Sequence, residues 1–202
     1  MHAHLRNTLA LLALLGLLGA CGSTPKSNHY ILRAQAVPVE TDTAFALGVG
    51  PVGVPPYLQR DAMVLSDGAN RLDLANTERW AEPLEDGITR VMALNLAALL
   101  GTQDVRPYPW HPKRPPAYAL KLRVLELDAD SASARLVAEW LVYRPGDDST
   151  LERRIARLQQ PLDGDGPEAI AGAYSALFFQ LSEIAAAAIE AAAAANPPTS
   201  EE

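Results

Sequence analysis

Residues 118–144, YALKLRVLELDADSASARLVAEWLVYR, decide the fold. Tyr118, Leu120, Leu122 and Val124 alternate with Lys121 and Arg123, the period-two pattern of a strand with one buried face. The alternation then slips, because Leu125 and Leu127 are apolar and Glu126 is not. A one-residue slip would turn the apolar set toward solvent, so a β-bulge is predicted near Val124. After a turn at Asp128–Ser133 the pattern resumes over Arg135–Arg144. Leu136, Ala138, Trp140 and Val142 share one face and Glu139 lies on the other, which assigns Trp140 to the core.

Downstream, Thr150–Gln159 is more polar and suits an edge strand; Glu152, Arg153, Arg154 and Arg157 read as a solvated strand face. Pro167–Ala195 reads as a long helix with Ile170, Ala173, Tyr174, Leu177, Phe178, Leu181, Ile184 and Ala188 as its apolar stripe. Nine of the eleven residues from Ala185 to Ala195 are Ala. That favours helix but buries little, so this end is expected to fray. Asn196–Glu202 reads as a disordered tail.

Upstream, five prolines in ten residues exclude a regular element over Pro107–Pro116. Pro83–Leu100 reads as the first helix, with Glu85 and Asp86 at its positive end, a stripe of Leu84, Ile88, Val91, Met92 and Leu99, and Gly101 as its C-terminal cap. Asn95 falls within the stripe and suits a polar group bonded to backbone at the core edge, with a ligand contact as the other reading. Ala62–Ser66 and Arg71–Leu74 flank the turn-forming Asp67–Asn70 and predict a hairpin. Phe45–Val54 and His29–Ala34 read as strands, with a loop at Val37–Thr43. The order of strands, helix, strands, helix gives a single-domain α/β sandwich. Its sheet is mixed, largely antiparallel and of about five strands, with two main helices on one or both faces.

Gly48-Val49-Gly50-Pro51-Val52-Gly53 matches G-x-G-x-x-G, but a dinucleotide site needs a helix starting there. Val54-Pro55-Pro56 prevents one, so these glycines are read as permitting close packing or a bulge. His29 and His111 lack paired ligand spacing, and no metal site is expected. His111 has no nucleophile context around it, so no catalytic residue is assigned. Trp80 and Trp110 either cover a sheet edge or contact a partner. Exposed aromatics beside rigid prolines suit protein contacts, which makes Trp110, and Tyr57 and Arg60 after Pro55-Pro56, the candidate partner-binding residues.

The N-terminus places this domain in a compartment. Leu9–Leu18 is almost wholly Leu and Ala and follows a short segment containing Arg6. A membrane span needs about 20 apolar residues; this run is about half that and fits a signal peptide. Leu18-Gly19-Ala20-Cys21 resembles the lipobox of bacterial lipoproteins. The resemblance implies cleavage after residue 20, diacylglycerol on the Cys21 thiol and an acyl chain on the new amine. Cys21 is the single cysteine of the chain, so no intramolecular disulfide competes for it. Residues 21–28 then form a tether, and Gly22, where inner-membrane retention would show Asp, points to the outer membrane. Loss of Arg6 takes the formal net charge from −7 to −8. Such a chain is a poor candidate for nucleic acid, and lipid contact is expected through an apolar groove or a partner rather than a basic face.

Several segments occur together in order: His29-Tyr30-Ile31-Leu32; Gly50-Pro51-Val52; Pro55-Pro56-Tyr57-Leu58 with Arg60; Arg79-Trp80-Ala81-Glu82-Pro83-Leu84; Asn95-Leu96-Ala97-Ala98-Leu99-Leu100-Gly101; Ala138-Glu139-Trp140; and the Ala-rich last helix. The set resembles the ABC-type transport auxiliary lipoproteins, also called the PqiC-like family, over residues 29–195. The resemblance implies a non-enzymatic component on the periplasmic face of the outer membrane. Its partners would be an MCE-domain periplasmic protein and the inner-membrane transporter behind it, with no cofactor beyond the lipid on Cys21 and with homo-oligomers open. A scaffold for envelope assembly and a tethered periplasmic enzyme are the alternatives.

Overall fold

The computed structural model describes residues 26–36, 45–68 and 70–195. The signal peptide, Cys21, the loop at Val37–Thr43 and the tail after Ala195 lie outside the described residues.

The elements run β1 (Asn28–Tyr30), β2 (Leu47–Gly53), a 3-10 turn (Pro56–Leu58), β3 (Ala62–Ser66), β4 (Leu72–Trp80), α1 (Leu84–Leu100), β5 (Val105–Pro107), β6 (Tyr118–Ala129), β7 (Ser133–Arg144), β8 (Ser149–Pro161) and α2 (Gly166–Ala195). Five strands form one sheet in the order β5-β2-β6-β7-β8, and three form a smaller one in the order β1-β4-β3.

The stretch 118–144 behaves as its pattern predicts. Leu120 faces Val142, Leu122 faces Trp140 and Val124 faces Ala138, after which the register shifts so that Glu126 faces Val137. Leu125 is the extra residue, and the bulge returns Leu127 to the core, where it is fully buried. The turn is tighter than expected. The Asp130 Oδ1 accepts from the Ala132 and Ser133 amides at 2.8 and 2.9 Å, and this side-chain turn lets both strands extend toward it.

The larger sheet is more mixed than its hairpins suggest, since β2 runs parallel to both β5 and β6. The chain between β2 and β6 passes through the small sheet and α1, a connection long enough for parallel pairing. The second sheet was not foreseen. The expected hairpin is present, but β4 continues to Trp80, and β1 pairs parallel with its last three residues. β1 also stops earlier than its pattern predicts. Beyond Tyr30, side chains replace the ladder: Arg90 donates to the Leu32 carbonyl, the Arg33 amide donates to Ser175 Oγ at 3.1 Å, and the Gln35 and Ala36 amides donate to Asn95 Oδ1 at 2.9 and 3.2 Å.

Both helices cover one face of the larger sheet. α1 starts behind Pro83 and ends at Gly101 in the left-handed region, φ 63°, the conformation glycine adopts without penalty. Ile88, Met92 and Leu96 of α1 join Leu177, Phe178 and Leu181 of α2 in a common buried cluster, and Ser182 Oγ, which donates to the Phe178 carbonyl at 2.7 Å, lies 3.2 Å from Met92 Sδ. Each fully buried Leu, Ile, Met or Phe contributes about 1.5–3 kcal/mol. The Ala tract remains helical to Ala195 and buries more than its composition suggests, because Ala185, Ala186 and Ile189 reach the core.

Candidate docking surface

The opposite face of the larger sheet carries no helix. Gly48 of β2, Ala119 of β6 and Tyr143 of β7 lie side by side on it, followed by Lys121, Leu141 and Arg153, then Arg123, Glu139 and Ile155. The proline segment folds over the first of these rows. It is pinned by the Tyr108 amide on the Val49 carbonyl (3.3 Å) and the Ala117 amide on the Ala46 carbonyl (2.9 Å). Arg106 straps the loop, with Asp104 at 2.5 Å and the Arg114 carbonyl at 3.0 Å. Arg106 therefore draws Asp104 below the usual carboxylate range.

This frame sets Trp110 on Gly48. A Cβ at Gly48 would stand 2.7 Å from the indole and 2.6 Å from Pro116, and one at Gly50 would stand 2.8 Å from Tyr108 Cβ. Two of the three glycines of the G-x-G-x-x-G match, Gly48 and Gly50, are thus the floor on which Tyr108, Trp110 and Pro116 rest, while Gly53 stands in open space. Tyr108 meets Trp110 edge-on at 5.2 Å, and Trp110 meets Tyr143 at 6.5 Å. Tyr108 is 52% exposed and Trp110 half-buried, so an aromatic platform faces solvent. Its chemistry suits recognition, since ring edges and faces bury large areas at small entropic cost.

Beside it the strands carry charge. The Glu139 carboxylate accepts from Arg153 and Arg123 at 2.8 and 2.6 Å, and those bonds hold it below its usual range, Arg153 most. The four charged residues read together on β8 divide. Arg153 and Arg157 share this face with Val137 and Glu139, whereas Glu152 and Arg154 pair at 2.5 Å on the other side of the strand. A chain of net charge −7 thus gathers Lys121, Arg123, Arg153 and Arg157 on one face. Glu126 and Glu139 share that face and offset part of its charge, an arrangement that net charge cannot report.

Trp110 is not brought into contact with the other two candidates. Tyr57 sits in the 3-10 turn at the β6 bulge and accepts from the Leu127 amide at 3.4 Å; burial raises its phenol. Arg60 is exposed beside a cleft of about 320 Å³ between the turn and the start of α1, lined by Val54, Leu58, Asp61 and Leu84. Cys21 lies outside the described residues. Sequence reasoning missed Tyr108 and Tyr143, although the spacing Tyr108-Pro109-Trp110 was available as a signal.

Asn95 is fully buried and its oxygen serves two backbone amides, the core role its position suggested. Trp80 is also structural, stacked on Tyr174 at 6.1 Å. Glu82 is bonded by Arg90, whose guanidinium also holds the Leu32 carbonyl. The Arg-Trp-Ala-Glu-Pro-Leu segment is therefore a clasp joining β4, α1 and the chain after β1. His111 is exposed and its Nδ1 accepts from the Lys113 amide at 3.1 Å. No group of three or more metal-ligating side chains occurs among the described residues.

Residues 30–186 match the family model described as "ABC-type transport auxiliary lipoprotein component". Among solved structures, a crystal structure of an uncharacterized protein superposes with a TM-score of 0.67 at 22% identity, covering 82% of this chain and 99% of its own. Protein XCC0632 from Xanthomonas campestris, of the DUF330 family, superposes with a TM-score of 0.65 at 14% identity, covering 79% and 93%. At these identities the superpositions establish the fold. No protein with a curated description matches in sequence. With the family match spanning most of the domain, the chain belongs to the ABC-type transport auxiliary lipoproteins.

Proposed function

We propose that this protein is a non-enzymatic, lipid-anchored component of an intermembrane lipid transport system. It docks the periplasmic conduit built by an MCE-domain protein at the outer membrane, and so supports lipid exchange and envelope integrity. Diacylglycerol and an acyl chain on Cys21 hold it to the periplasmic face. Two or more chains make such attachment durable, whereas one is marginal. The observation that carries this reading is the exposed platform of Tyr108, Trp110 and Tyr143 on the helix-free face of the sheet, continued by Arg123 and Arg153. Aromatic and Arg side chains dominate interface energetics, and a platform seated on glycines is ordered before it binds.

Photocrosslinking in intact cells tests the proposal. A crosslinker at position 108 or 110 is expected to capture an MCE-domain protein, and one at position 57 or 60 to report whether the turn at the β6 bulge shares the contact. Capture of unrelated proteins only, with an intact envelope and unchanged lipid traffic after deletion of this gene and its paralogues, would refute it.

A further inference from the structure

β1 and β4 run parallel with Asn28 opposite Glu78 and Tyr30 opposite Trp80. Moving toward the N-terminus from Asn28 therefore means moving along β4 from Thr77 toward Leu72, that is, toward the turn of the β3–β4 hairpin. Ser27 and Lys26 precede β1 at that end and line a cleft with Glu168, Ala171 and Ser175 of α2. Five residue steps separate Lys26 from Cys21, a reach of at most about 17 Å. Five steps also separate Thr77 from Leu72, about 17 Å of strand. A tether of that length, extended along β4, would bring Cys21 level with the hairpin turn.

The hairpin turn is where the molecule exposes a matched apolar pair. Leu72 and Leu74 lie on one face of β4 and are 44% and 42% exposed. β3 pairs with this part of β4 on one side, opposite Ser66, Leu65 and Val64. On its other side β1 covers only 78–80, so the edge at 72–77 has no strand partner among the described residues. Exposed apolar edges invite association and are normally blunted. We infer that the hairpin tip is the membrane-facing end of the domain, with Leu72 and Leu74 seated in the headgroup layer of the bilayer that holds the N-terminal acyl chains. This rests on the lipid-anchor reading above. The unpaired backbone of β4 keeps the strand itself out of the hydrocarbon, where unsatisfied amides are not tolerated. The exposed Arg71–Asp67 pair at the turn stays at the level of the headgroups for the same reason. The side chains alone enter the interface and add orientation to an attachment that the lipid supplies.

The full-length lipidated protein, reconstituted in phosphatidylethanolamine–phosphatidylglycerol vesicles, tests this. Thioether formation consumes the only native thiol, so Leu72→Cys, Leu74→Cys and Ile155→Cys each offer one labelling site. A fluorophore at 72 or 74 should be quenched by doxyl-labelled lipids at least twofold more than one at 155, on the helix-free sheet face. With the label at Asn70→Cys, the pair Leu72→Ser/Leu74→Ser should lose at least half of that quenching. Equal quenching at 72, 74 and 155, in protein that floats with the vesicles, overturns the inference. Self-quenching that grows with protein density, without doxyl quenching, overturns it in favour of a second copy on the β4 edge. Failure to float would instead strike the anchor reading, and the inference would fall with it.

Discussion

Gly48→Ala is a one-carbon test of the platform. The new Cβ would lie 2.6 Å from Pro116 Cγ and 2.7 Å from Trp110 Cζ3, where carbon–carbon contacts normally sit at about 3.5–4.0 Å. Gly48 is not among the glycines with positive φ, so the effect is steric rather than a backbone penalty. Pro116 is buried, while Trp110 is half-buried and gives way first. Overpacking of this kind costs about 1–3 kcal/mol. For a domain of this size each kcal/mol lowers the melting temperature by about 2–4 °C, so a fall of about 2–12 °C is expected. Trp80 and Trp140 are 7% and 1% exposed, which leaves Trp110 to report any displacement. Its emission should move to the red and become more accessible to acrylamide. In a Trp110→Ala background one of the two close contacts is gone, and Gly48→Ala should cost at most half as much, a coupling a double-mutant cycle resolves. An equal cost in both backgrounds, or a destabilised protein with unchanged emission, would show that Trp110 does not rest on Gly48.

Trp140→Ala removes a side chain that is 1% exposed and should cost about 3–5 kcal/mol in chemical denaturation; a near-neutral result would place Trp140 on the surface. Tyr174→Phe should leave stability unchanged or raise it, because the Tyr174 hydroxyl is buried without a partner among the described residues and removing it relieves a desolvation cost; a loss above about 1 kcal/mol would reveal a hidden partner. NAD and ATP should give flat calorimetric titrations, since β2 carries the glycines into Val54-Pro55-Pro56 and a 3-10 turn rather than a helix; a saturable micromolar signal would overturn this. Cys21→Ala should abolish labelling by a fatty-acid analogue and release the domain from membranes, and Gly22→Asp should move some protein to the inner membrane; continued labelling, or unchanged fractionation, would contradict the respective expectation.

Local pattern alone determined much of this protein. Periodicity placed α1, α2 and the β6–β7 ladder, and the phase change after Val124 located the bulge, because a buried face tolerates no slip. Prolines and Gly101 set helix ends, since their φ preferences act within one residue. The same locality explains what only tertiary structure decided. The pairing of β1 with the far end of β4, and the parallel seating of β2 between β5 and β6, depend on contacts between residues distant in sequence. Asn95 and Ser175 hold residues 33–36 in place of a ladder, and no window containing those residues includes either partner. Net charge, a sum, could not show that Lys121, Arg123, Arg153 and Arg157 gather on one face. Trp110 was legible as a candidate, but its seat on Gly48 and its neighbours Tyr108 and Tyr143 were not, because the proline segment reaches β2 and β7 only when the sheet has formed.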